Sequence, residues 1–273
     1  MMSDVTFGKY YPSSSFVHKM DARAKLILLI LYIVTIFVVK NFYGFLCVAS
    51  FLALAVTAAR IPVTKILRSM RAVLFVILLT VVLNVFFYQS KTQTILWSFK
   101  FIKITKEALL FSAFMAVRLL LLVVGSSLIN LTTTPVALTD GIESLLTPLK
   151  IIKFPVHELA LVMSIALRFI PILASEADRI INAQKARGAD FESGNLISRA
   201  KAMIPVLVPL LVSAFRRADE LGDAMDARCY SGSTVRTKYK KAKLGYRDFL
   251  GAFIMLAALA GVIVLNAFTG AAV

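Results

Sequence analysis

The residues with the clearest chemical address in this 273-residue chain are two arginines, Arg187 and Arg228. Each closes a stretch of thirteen charge-rich residues that follows sixteen nearly apolar ones: Leu159–Ala174 then Ser175–Arg187, and Ala200–Phe215 then Arg216–Arg228. The two copies keep a register of 41 positions, which pairs Ala177 with Ala218, Asp178 with Asp219, Ala183 with Ala224, Ala186 with Ala227 and Arg187 with Arg228. Arginine is charged at every physiological pH and offers a planar fork of donors to a carboxylate, and flanking alanines leave the helix slim enough to enter a groove. Gly188 can take the left-handed conformation that ends a helix, and a cation near a helix C-terminus is favoured by the dipole. One such ending is an ordinary helix stop; two in one frame present arginines to a partner.

The remaining titratable groups offer less chemistry. Arg118 falls in the middle of an apolar stretch, where a charge needs a specific partner: a carbonyl, Asn84 or another polar side chain, Glu158, or a group on a second protein. It is read as a contact inside the bundle or with that second protein. His18 and His157 lack companions at metal-ligand spacing, and Cys47 and Cys229 form no CxxC, so neither a metal site nor a disulfide is expected. No phosphate-binding loop is present.

The elements that must hold these residues are membrane helices. A content of 59% hydrophobic residues and a mean hydropathy of +0.82 belong to an integral membrane protein. Candidate spans are Leu26–Val39, Phe42–Ala59, Ala72–Tyr88, Ala108–Leu131 and Phe249–Phe268, the first two forming a hairpin that turns at Lys40-Asn41. None contains Asp or Glu, which leaves no acid–base pair for an intramembrane enzyme. The net charge of +16 sits mainly beside apolar stretches, where anionic lipid and topology account for it without nucleic acid. About twenty-five polar residues precede the first apolar run, so no signal peptide is expected. The distribution of Lys and Arg favours a cytoplasmic N-terminus and a C-terminus outside, with Lys91–Lys106 in an outer loop.

If both arginines serve one side, the two repeated elements cannot both be spans. The expectation is that neither crosses: each apolar half lies against the inner membrane face or the bundle, each polar half reaches the cytosol, and Pro171, Pro205 and Pro209 kink them. Thr134 before Pro135 suits a helix cap, and Asp140-Gly-Ile-Glu143 has capping-box spacing, which predicts a short helix over Asp140–Leu149. The predicted architecture is all-α and polytopic: a four-span membrane bundle over 1–131, a coupling-helix region over 132–248 and a final transmembrane helix over 249–273.

The same residues carry a resemblance. Ser15-Phe-Val-His-Lys-Met-Asp21-Ala-Arg23-Ala-Lys25, Arg168-Phe-Ile-Pro171, Glu176-Ala-Asp, Ala183-Gln-Lys-Ala-Arg-Gly188, Pro209-Leu-Leu and Arg217-Ala-Asp-Glu220 through Ala224-Met-Asp-Ala-Arg-Cys-Tyr230 resemble the transmembrane T component, the EcfT/CbiQ-like family, of energy-coupling factor ABC transporters. The likeness runs from about Gly8 to Thr237. It implies a non-enzymatic scaffold that couples two cytosolic ATPase subunits to a membrane-embedded S component binding a vitamin or metal. Ala186-Arg187-Gly188 and Ala227-Arg228-Cys229 are then the ATPase-docking ends, and Arg118 a candidate S-component contact. ATP and Mg belong to the partner ATPases; no cofactor is bound directly. Cys229 stands where the family pattern has Gly, and Cys enters left-handed geometry less readily, so a weaker helix end is expected there. A self-sufficient ABC importer permease is the alternative reading, and it requires a polar pathway that the apolar spans do not supply.

Overall fold

The computed structural model describes residues 10–87, 95–99, 102–152, 154–191, 193, 195–231 and 244–269. Eight α-helices follow in chain order: α1 (Ala22–Val38), α2 (Phe42–Ala59), α3 (Val63–Phe87), α4 (Lys106–Thr132), α5 (Pro135–Leu146), α6 (Val156–Ala186), α7 (Leu196–Asp226) and α8 (Tyr246–Thr269). The protein is an all-α polytopic membrane protein. Five helices (α2, α4, α6, α7 and α8) have the length and apolarity to cross a bilayer, and a shorter apolar stretch, Val73–Phe87, lies in α3. Two compact units form, Gly8–Phe154 with Ala242–Val273, and Pro155–Lys241.

Local signals set the helix boundaries. The Asp21 carboxylate accepts the Arg23 N–H at 3.0 Å and caps α1. Thr105 caps α4 by accepting from Ala108 N–H, and Glu107 adds an acid to the first turn. Thr134 caps α5 with Pro135 at its first position, as the sequence predicts. The boundary inferred from Asp140-Gly-Ile-Glu143 is corrected: those residues lie inside α5, and a 3-10 turn, Thr147–Ile152, ends the segment. Part of the segment read above as an outer loop is also more regular than expected. Ile95–Phe99 (β1) and Ile102–Thr105 (β2) pair antiparallel, with a bulge between Ile95 and Trp97, because β-branched and aromatic residues dominate both stretches. Lys91 and Lys100 fall outside the described residues.

In the first unit α1 is the centre, and polar contacts define both of its ends. At the start, Asp248 of α8 accepts the Asp21 N–H at 2.9 Å and the Gly245 N–H at 2.8 Å. At the finish, Asn266 of α8 donates to the Val38 carbonyl at 2.8 Å and accepts the Lys40 N–H at 3.3 Å. Thus α1 and α8 run parallel, in contact from end to end. Helix α4 runs the other way, since Lys25 donates to the Thr132 carbonyl at 3.0 Å and the Thr133 hydroxyl at 3.2 Å. Between these helices pack Ile36, Phe45, Val48, Phe114, Met255 and Val262. Gly125 lets the Tyr32 ring lie against α4: a Cβ there would meet the ring at 2.2 Å, and the Tyr32 hydroxyl donates to the Leu121 carbonyl at 2.7 Å. Outward, Phe37, Leu46, Phe75 and Phe253 are largely exposed, the pattern of helices solvated by lipid chains.

The end of α4 and the start of α8 both lie at the Asp21 end of α1, so the intervening chain leaves and returns at one end of this bundle.

Parallel α1 and α8 predict that topology reporters fused before α1 and after α8 read opposite sides of the membrane; the same side for both would overturn this arrangement. Asp248→Ala leaves two half-buried N–H groups without their acceptor, a loss of about 1 kcal/mol or more. A lower melting temperature in detergent is expected, with Asp248→Asn losing less.

Candidate functional site

Helices α6 and α7 end in the same way. At α6 the Ala189 N–H donates to the Gln184 carbonyl and the Gly188 N–H to the Lys185 carbonyl, both at 3.0 Å, with Gly188 at φ +89°. At α7 the Tyr230 N–H donates to Met225 at 3.0 Å and the Cys229 N–H to Asp226 at 2.8 Å, with Cys229 at φ +56°. Both are Schellman endings, shifted by the 41-residue register throughout. Cys229 adopts the left-handed conformation that Gly188 adopts, so the second helix end forms with the same pair of hydrogen bonds although its residue is not glycine. Arg187 and Arg228 each occupy the last position before the left-handed residue, and both are exposed together with Ala186, Gly188, Ala227 and Cys229.

The two helices meet through an ion pair between equivalent positions. Arg217 donates to the Glu176 carboxylate at 3.1 Å, 41 residues apart. Glu176 lies about 15 Å of helix before the end of α6, and Arg217 about 31 Å after the start of α7. The nine-residue connection Arg187–Asn195 reaches at most about 36 Å, whereas parallel helices in this register would require about 46 Å. The helices also touch over a shorter stretch than α3 and α4 do. They cross, at roughly a right angle or wider. From the ion pair each arm runs eleven residues, about 16 Å, to its arginine, so the arginines stand more than about 20 Å apart.

Arg118 is placed at the far end of α1. Its guanidinium donates to the Val39 carbonyl at 3.1 Å, lies 4.9 Å from the Phe114 ring centre and 5.7 Å from that of Phe37, and approaches the Met115 sulfur at 3.8 Å. Val39 ends α1, so Arg118 takes up an orphan carbonyl at the negative end of the helix dipole while the aromatic faces shield the charge. Its Nε–H finds no acceptor among the described residues. Asn84 donates to the Thr80 carbonyl within its own helix instead. Sequence alone puts Arg118 mid-helix; α4 outruns α1, and mid-helix is therefore level with the end of α1.

His18 acquires a role the sequence does not assign. Its Nε2–H donates to the Tyr11 carbonyl at 2.8 Å, so Nδ1, 2.6 Å from the Ser15 oxygen, accepts from that hydroxyl in the neutral ring. Tyr11 N–H in turn donates to the Leu131 carbonyl at 2.9 Å. With Lys25 on Thr132, the Ser15–Lys25 motif closes the C-terminal carbonyls of α4. Sequence reasoning missed Asp248, Asn266 and the Glu176–Arg217 pair. Only the last had a signal, the register itself.

Five apolar helices and two exposed, arginine-tipped helix ends define a polytopic helical membrane protein. The cobalt transport protein family, CbiQ, matches residues 13–239. The energy-coupling factor transporter transmembrane protein EcfT of Ruminiclostridium cellulolyticum is 47% identical over 266 residues, covering 97% of this chain and 98% of that protein. The proteins of the same name from Clostridium kluyveri and Bacillus subtilis are 46% and 41% identical, covering 94% and 95% of this chain and 94% and 98% of their own. The chain belongs to this CbiQ/EcfT family of energy-coupling factor transporter membrane components.

The shared ending predicts that Cys229→Gly is tolerated and slows hydrogen exchange at the Tyr230 amide, since glycine takes positive φ at lower cost by roughly 1 kcal/mol. Cys229→Val, branched at Cβ, should speed that exchange. Equal rates in all three proteins would show that the left-handed turn does not hold the α7 end.

Proposed function

We propose that this chain is the coupling subunit of an importer, transmitting ATP-driven motion of two cytosolic ATPase subunits to a membrane-embedded, vitamin-binding S component. The observation that carries the reading is the pair of identical arginine-tipped helix ends, set symmetrically about one crossing. Two like sockets on two like partners are what such a pair fits, and the ATPases' carboxylates are the counterpart a guanidinium fork selects. ATP and Mg are then held by the partners, and this chain performs mechanical work without catalysis.

For both tips to reach the cytosol, neither α6 nor α7 crosses fully. The ion pair favours this. In a hairpin of two level spans Glu176 would face a residue about ten into α7, whereas pairing with Arg217 would leave antiparallel spans about 16 Å out of level. The parallel α1 and α8, with the Lys/Arg bias, support a cytoplasmic N-terminus and a C-terminus outside. The apolar halves of α6 and α7 expose Leu159, Val162, Leu207, Val208, Leu211 and Phe215, a surface suited to an S component. Substrate recognition belongs to that subunit. A cavity of about 150 Å³ between α1, α2, α4 and α8 is lined almost wholly by apolar side chains, and the amine of Lys25 in its wall is already bonded. It offers a polar vitamin no partners, which counts against a self-sufficient permease.

Arg187→Glu and Arg228→Glu should each cripple uptake, and the double variant should lose the ATPases on purification, because unpairing a buried charge costs about 2–5 kcal/mol. Lysine replacements should recover only part of the function, an ammonium lacking the planar fork. A double Glu variant that assembles and transports normally would sink the reading.

A further inference from the structure

The position of one ion pair on the symmetry of the repeat carries an inference about how the two arms are held. When two copies of a motif cross, equivalent residues touch each other only at the local two-fold axis that relates the copies. Glu176 and Arg217 are equivalent, and they touch at 3.1 Å. A local two-fold relating the two copies would therefore pass close to this pair. An axial position faces its own equivalent, so an acid or a base conserved in both copies would meet a like charge there. The two copies carry opposite charges at this point, Glu in the first and Arg in the second, immediately before the identical pairs Ala177/Ala218 and Asp178/Asp219. The same reversal recurs one turn nearer the tips, where Arg179 in the first copy corresponds to Glu220 in the second. Both axial side chains are about one-third exposed, which strengthens their attraction over that of a fully solvated pair.

We propose that Glu176 and Arg217 are the pivot of the two arginine-tipped arms, an axial ion pair that sets the angle between α6 and α7 and through it the spacing of Arg187 and Arg228. They are positioning residues: neither belongs to a tip. Each tip lies eleven residues from the pivot, so a change of angle there moves both by equal amounts in opposite senses. The part of this inference that concerns transport rests on the function proposed above; the part that concerns geometry does not.

The test is charge reversal and its repair in the full-length protein. Spin labels go on the equivalent exposed positions, as Asn182→Cys and Asp223→Cys, in a Cys47→Ala, Cys229→Gly background that leaves no other cysteine. The unmodified pair should give one narrow distance distribution. Glu176→Arg sets two arginines face to face on the axis and should broaden or shift it, and the swap Glu176→Arg with Arg217→Glu should restore it. In the assembled transporter, uptake should fall about tenfold or more with Glu176→Arg and return to within about twofold in the swap, with ATPase copurification retained throughout. Should the single reversal fail to fold, Glu176→Gln against Arg217→Gln supplies the same comparison, both broadening the distribution. Distances unchanged by either the reversal or the neutral variants, or a swap that stays as distorted as the single reversal, would overturn the pivot. Distances that respond as expected while no form of the chain binds an ATPase would leave the pivot standing and remove the function proposed for its arms.

Discussion

Within an apolar solvent the ends of helices become the decisive sites, since every terminal carbonyl or amide left unpaired there costs far more than it would in water. In the first unit that constraint falls on α1. One end is held by Asp21 and Asp248, the other by Asn266 and Arg118, and each contact fixes the direction of a neighbour as well as its distance. The apolar side chains between them supply close packing without orientation, because lipid offers them nearly the same environment as protein. Parallel α1 and α8, antiparallel α4 and the shared end from which α5 departs and to which α8 returns all follow from a few polar pairs.

The second unit solves a different problem, presenting one chemical group twice. Its Schellman endings take the backbone through a left-handed residue and leave the preceding arginine exposed at the helix tip. One of these residues is Gly and the other Cys, and the same pair of backbone hydrogen bonds closes both turns. Duplication also creates a position that must differ between copies, the one on the axis. Identity at the tips and opposition at the crossing are two consequences of the same local symmetry.

Sequence made much of this legible. The Lys40-Asn41 hairpin turn, the Thr134 cap, the helical character of all five apolar stretches and the repeat at 41 positions follow from periodicity and capping chemistry that act within a few residues. What escaped it is long-range. Asp248 and Asn266 look like ordinary polar residues at the two ends of a span, and their partners lie more than two hundred positions away. Depth escaped as well, since Arg118 is central in α4 yet level with the end of α1. The Asp140 boundary misled because a capping pattern inside a helix already nucleated at Thr134 has no free amides left to cap.

The separation between Asp21 and Asp248, 227 residues, also sets a clock. At a synthesis rate of about 5–20 residues per second, the acid that finishes the start of α1 emerges some 10–45 s after the helix it serves. Asn266 comes later still, so the first helix made is the last completed. Through that interval α1 sits in the membrane with open polar ends, and its orientation depends on flanking charge and on whatever cellular machinery shelters it. Truncation before Tyr246 would thus strip the partners from the oldest part of the protein rather than merely shorten its newest.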